Sequence, residues 1–169
     1  MRLVTGFIIF LTGGMAITAL VIAALLGVAG LRSVPSDQDS AQLPNLTAPV
    51  DILFDDRSIP TIRARTMRDA YRSLGYLHAR DRLWQMESMR RIGAGRMAEI
   101  VGSPMIPYDT LMRQLGLYRQ AEAQLVLMDE EERRDLQAYA DGVNAFLAHQ
   151  DRPFPIEFQV TQFQPEPWT

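Results

Sequence analysis

The chain has 169 residues, of which 47% are hydrophobic and 22% charged, with a formal net charge of −3. That length suits one modest domain and not two, and the weak acidity gives no support to nucleic-acid binding, which calls for a basic patch. Cysteine is absent, which excludes disulfides, thiolate metal sites, a cysteine nucleophile and a lipid-modified amino-terminal cysteine.

Residues 3–31 carry no charged side chain. A hydrocarbon core about 30 Å thick takes about 20 apolar residues in helix, whereas the apolar centre of a secretory signal runs to about 7–15. Residues 1–32 therefore predict a transmembrane anchor or uncleaved signal segment. Cleavage near the small residues Gly27 and Ala29 stays open as an alternative. Arg2 and the amino terminus put positive charge on the short side, which directs the remainder to the periplasm or exterior.

Residues 33–48 read as a linker, rich in Ser, Asp, Gln, Asn and Pro. Val50–Phe54 and Ile59–Ala64 then predict two short strands around a turn at Asp55–Ser58. Pro60 limits the second to an edge or to a strand beginning.

Leu74 to Gly93 predicts the middle of a helix of roughly seven turns. Thr66 caps it, Asp69 three residues on completes a capping pair, and Gly93 and Gly95 loosen or end it. On a helical wheel, Ala70, Leu74, Leu77, Trp84 and Ile92 share one arc. Tyr71, Tyr76, Ala79, Leu83, Met86 and Met89 take much of the other side, leaving Ser73, Arg80, Glu87 and Arg91 as a polar strip. Such a helix is covered from more than one direction. Asp81 falls inside the first apolar arc, and a buried carboxylate needs a cation or several donors. His78 and Gln85 lie within reach along the helix, and Arg82 points to another partner. A buried ion-pair network and direct catalysis by Asp81 are the two readings.

Arg96–Val101 adds a helical turn or two before Gly102-Ser103-Pro104 breaks it. Tyr118, Ala121, Leu125 and Met128 mark an amphipathic helix. Asp129 with Glu132 starts another, buried through Leu136, Tyr139, Ala140, Val143, Phe146 and Leu147, its acidic run Glu130–Asp135 being a solvated first turn. Pro153, Pro155, Pro165 and Pro167 predict an extended closing segment. No phosphate loop and no Gly-x-Ser-x-Gly turn occurs, and His78 and His149 are too far apart to suggest a metal pair. His78 reads as a hydrogen-bonded core residue and His149 as a helix end. The residues alone describe an exported helical domain without an assigned activity.

Gly75-Tyr76-Leu77-His78-Ala79-Arg80-Asp81-Arg82-Leu83-Trp84-Gln85-Met86-Glu87, followed by Met89-Arg90-Arg91-Ile92-Gly93-Ala94-Gly95-Arg96 and Ala98-Glu99, strongly resembles the start of the penicillin acylase (penicillin amidase) family. So do Tyr139-Ala140-Asp141-Gly142-Val143-Asn144-Ala145-Phe146 and the closing Pro165-Glu166-Pro167-Trp168. The likeness covers residues 49–169. Two positions of the hairpin depart from the family pattern: Ser58 stands where it has Gly, and Thr61 where it often has His.

The resemblance implies an amino-terminal-nucleophile hydrolase made as one precursor. Residues 49–169 are then an incomplete α-chain domain, α+β in class and mostly helical with an amino-terminal β-hairpin. A missing β chain completes the four-layer αββα fold. The precursor cuts itself, and the new β-chain amino terminus is a serine whose hydroxyl attacks a linear amide C–N bond of a penicillin, cephalosporin or acyl-homoserine lactone type substrate. Its own α-amine serves as base, because such an amine titrates near pH 7.7–8.0. By family order the nucleophile, oxyanion donors, acyl pocket and calcium ligand all lie beyond Thr169. The resemblance therefore assigns no catalytic, substrate-binding or metal residue here, and implies calcium only outside this chain, with no organic cofactor. The expected setting is a bacterial inner membrane, anchored and facing the periplasm, or the periplasm itself if the leader is removed. The alternative is a membrane-tethered, non-catalytic helical interaction module or a degenerate acylase remnant.

Overall fold

The computed structural model describes residues 2–33, 40–149 and 153–169, with side chains at 14, 15 and from 17 onward within the first helix. That helix, α1, runs Arg2–Ser33. Among the described residues no helix is long and apolar enough to cross a membrane, so the expected span over residues 3–31 is not supported. The continuous stretch with described side chains, residues 17–33, is shorter than the about 20 residues a hydrocarbon core takes. The earlier part of the expected span falls outside those side chains.

Of the expected linker, residues 34–39 lie outside the described residues. Its far end is not a free spacer. The Thr47 N–H donates to Asp69 Oδ1 at 3.1 Å and its hydroxyl to Asp69 Oδ2, while Arg72 Nη1 donates to the Asn45 carbonyl at 2.8 Å. Strands β1 (Asp51–Phe54) and β2 (Pro60–Arg63) follow as an antiparallel pair with Asp51 opposite Arg63 and Phe54 opposite Pro60. Asp55 builds the turn by accepting the N–H groups of Arg57 (2.9 Å) and Ile59 (2.8 Å) on Oδ1. Ser58 sits at φ 56°, the left-handed region that glycine enters without strain.

Helix α2 spans Met67–Ala94. Thr66 caps it by accepting the Asp69 N–H at 3.1 Å, and Gly95 ends it at φ 65°. The capping pair is only half reciprocal, because the Asp69 carboxylate turns to Thr47. Arg82 leaves the helical region (φ −141°, ψ 29°) and kinks the helix midway. The polar strip read from the wheel is largely inside: Ser73, Glu87 and Arg91 are buried, as are Asp69 and Arg72.

Short helix α3 (Ala98–Val101), a 3-10 turn at Ser103–Met105, α4 (Ile106–Leu115) and α5 (Leu117–Leu127) come next. The sequence reading did not foresee α4. Pro107 fits its first turn, where no N–H is required, and Gly116 closes it at φ 71°. Asp109 of α4 is buried and accepts the Met97 and Ala98 N–H groups at 2.9 and 2.7 Å, which caps α3 from outside.

Helix α6 (Glu130–Ala148) opens with a complete Asp129–Glu132 capping box. Its buried face is made of small residues: Ala138, Ala140, Gly142, Val143 and Ala145. Leu136, expected there, is 48% exposed. The reason is the closeness of α2. A Cβ on Gly142 would lie 1.9 Å from the Arg72 carbonyl oxygen, and one on Gly75 2.1 Å from that of Tyr139. Ala79, Leu83 and Val143 form the core with Phe158. Phe158 comes from α7 (Ile156–Thr161), a helix interrupting the segment expected to be extended. Pro155 does not oppose it, since proline is compatible with a helix start.

Candidate functional site

The acid expected to be buried is at the surface. Asp81 is exposed and pairs with its neighbour Arg80, whose Nε lies 2.7 Å from Asp81 Oδ1. His78 and Gln85 are exposed too, and His78 Nδ1 shares a hydrogen bond with the Tyr139 hydroxyl at 2.9 Å instead. The arc that held Asp81 was drawn through Trp84 and Ile92, and the non-helical backbone at Arg82 takes those two out of register with Ala70, Leu74 and Leu77. His149 closes α6 as expected, its ring nitrogen 3.1 Å from the Ala145 carbonyl.

The buried ion network lies one to three turns further on. Glu87 is fully buried, and Arg91 Nε and Arg90 Nη2 each donate to one of its oxygens at 2.6 Å. Arg91, 1% exposed, also pairs with Glu99 through Nη1 and with Glu166 through Nη2 at 2.9 Å. Arg96 joins the same two acids, reaching Glu99 at 2.8 Å and Glu166 at 3.0 and 3.2 Å. Three guanidiniums thus meet three carboxylates, an arrangement in which no charge is stranded. Glu87 and Arg91 are four apart on α2 and form the natural intrahelical pair.

Electrostatically the network is locked. The hydrogen bond from Arg96 pulls Glu166 down to about 2 and likewise holds Glu99 below the carboxylate range, and Arg96 is pushed up by the same bonds to Glu99 and Glu166. Burial drags Arg91 down, but its bonds to Glu87 and Glu166 outweigh that and leave it raised. A general acid or base works with a pKa near the ambient pH. The shifts of Glu99, Glu166, Arg91 and Arg96 run the other way, which suits ion pairs that hold structure.

What it holds is the irregular closing segment. Arg90 donates to the Glu166 and Pro167 carbonyls, both at 2.9 Å, and its guanidinium lies 5.0 Å over the Trp168 ring. Asn144 of α6 grips the Trp168 peptide on both sides, Nδ2 to the carbonyl at 2.7 Å and Oδ1 from the N–H at 2.8 Å. Arg91 stacks 4.3 Å over Phe163. Beside this clamp opens a groove of about 960 Å³ between α2, α4, α5 and the closing segment, lined by Arg91, Met112, Tyr118, Leu125, Trp168 and Thr169 among others. Helix α5 buries none of its residues.

Among the described residues no group of three or more His, Asp or Glu is placed to hold a metal ion. Glu87, Glu99 and Glu166 are taken by guanidiniums, Asp69 by Thr47 and Asp109 by backbone N–H groups. These residues do not fit a calcium site.

A family model described as penicillin amidase matches residues 49–169. The chain belongs to the penicillin amidase family. Penicillin acylase 2 proenzyme of Pseudomonas sp. (strain SE83) is 42% identical over 136 residues, 80% of this chain and 17% of that protein. The acyl-homoserine lactone acylase QuiP of Pseudomonas aeruginosa is 35% identical over 153 residues, 85% of this chain and 18% of its own length. The chain therefore spans less than a fifth of these relatives. The solved structure of a thermostable penicillin G acylase from Alcaligenes faecalis superposes with a TM-score of 0.62 at 29% identity, covering 72% of this chain and 66% of that one. This penicillin amidase family chain is mostly helical in the described part, with one two-stranded antiparallel hairpin.

Proposed function

We infer that the chain is the amino-terminal, α-chain part of an acylase that hydrolyses a linear amide C–N bond. The substrate class is that of penicillins, cephalosporins or acyl-homoserine lactones. The observation that carries this reading is the match of residues 49–169 to the penicillin amidase family, together with relatives named as acylases and as a proenzyme. The closing clamp supports it: an irregular segment fixed by buried charges beside an open groove is what a larger fold needs from its leading piece. The nucleophile is an autoproteolytically exposed serine outside this chain, partnered here as an α/β heterodimer facing the periplasm. Any calcium ligands also belong to that remainder.

The test is expression of the complete reading frame that contains these residues. Mass spectrometry should find two chains, the second beginning with serine, and the purified protein should release an acyl group from benzylpenicillin or an acyl-homoserine lactone. A single uncut chain, inert on every such amide, would return the molecule to a non-catalytic interaction module.

A further inference from the structure

We propose that Asn144 and Arg90 are positioning residues for maturation: by gripping the Glu166–Trp168 backbone they fix where and in which direction the chain leaves α2 and α6, so that the downstream cleavage site is delivered to its own nucleophile. This rests on the precursor reading above. The closing segment after α7 has neither helix nor strand, yet it is held at the Glu166, Pro167 and Trp168 carbonyls, the Trp168 N–H and the Glu166 carboxylate.

Stability alone does not require that grip. Helices α2 and α6 are already closed on each other through Gly75, Gly142 and the Ala79–Leu83–Val143–Phe158 core. Buried ion pairs contribute little net stability over apolar packing, and their best-attested use is to set register. Asn144 contributes register in its clearest form, since one side-chain amide pairs with both polar groups of a single residue and tolerates no slippage along the backbone. Beyond the clamp, Trp168 and Thr169 line the groove.

Self-cleavage is sensitive to such delivery. In net terms one water is consumed and one peptide bond becomes a carboxylate and a free amine, the attacking hydroxyl being returned at the end. A reaction within one chain gains its rate from placement, and a shift of about 1 Å can cost about a hundredfold.

The experiment follows precursor disappearance on gels in the full-length protein and in Asn144→Ala, Asn144→Asp and Arg90→Lys. Asn144→Asp keeps the acceptor for the Trp168 N–H and loses the donor; Arg90→Lys keeps charge and loses the fork. Processing of Asn144→Ala should slow about tenfold or more, with the two conservative variants intermediate. The processed fraction, separated and titrated for active sites, should turn over substrate at the wild-type kcat, and the melting temperature of the two Asn144 precursors, whose side chain lies outside the ion network, should move little. Wild-type processing rates in all three variants would overturn the proposal. So would a kcat or melting temperature that falls in step with processing, which would make the clamp merely structural. A wild-type precursor that never cuts itself would instead remove the reading on which the proposal stands.

Discussion

Glu87 has no water to fall back on. Both of its oxygens are committed to Arg90 and Arg91, and truncating it removes the one fully buried carboxylate that pairs with them. Glu87→Ala should therefore cost about 3–5 kcal/mol, read as a lowered denaturation midpoint in urea. Glu166 acts differently because it is partly exposed and its effect is a pH effect. Its folded pKa lies at about 2 against an ordinary 4.5, a depression, so its contribution is complete above about 4.5 and disappears as the pH falls towards 2. Replacing it in Glu166→Gln should flatten the melting-temperature profile across that window and leave the neutral-to-alkaline limb parallel to wild type. Added salt should shrink the difference, because the pair is screened.

At the scale of the helix pair, two glycines that look alike in sequence make opposite predictions. Gly142 faces the Arg72 carbonyl with no room for a methyl group, so Gly142→Ala must push α6 off α2 and should cost about 3 kcal/mol. Gly93 lies inside α2 with nothing within 4 Å of an added Cβ, and Gly93→Ala should stabilise by about 0.5–1 kcal/mol. Thermal denaturation of the two variants side by side checks both signs. This contrast also marks what the sequence could and could not say. Helix ends were legible because caps are local: Thr66, Gly95 and the Asp129–Glu132 box read directly. The hairpin was legible for the same reason. Which face of α2 is buried was not, because Arg82 interrupts the periodicity. Helix α4 was missed because its apolar pattern is short and its one buried residue is a carboxylate.

For the whole molecule, the clamp was hidden because its members lie far apart along the chain. Glu87 and Arg91 read only as part of a polar strip until the fold brings Glu99 and Glu166 to them. The quoted family blocks contained every one of these residues, yet the residues alone gave no reason to join them. Large apolar side chains on α4 and α5, including Leu111, Leu115, Leu117, Tyr118 and Val126, remain exposed. Exposed apolar side chains in that number favour association. Residues 40–169 produced alone should bind a hydrophobic dye and scatter light at micromolar concentration, and the full-length protein should do neither.

The staple between Thr47 and Asp69 sets a boundary of its own. Trimming the chain from its amino-terminal side past Thr47 would take both Thr47 donors from the buried Asp69 carboxylate and, with Asn45 gone, leave Arg72 without that carbonyl. A mature terminus found by sequencing should accordingly lie upstream of that knot. Shortened versions starting at residue 50 should melt earlier than those starting at 40.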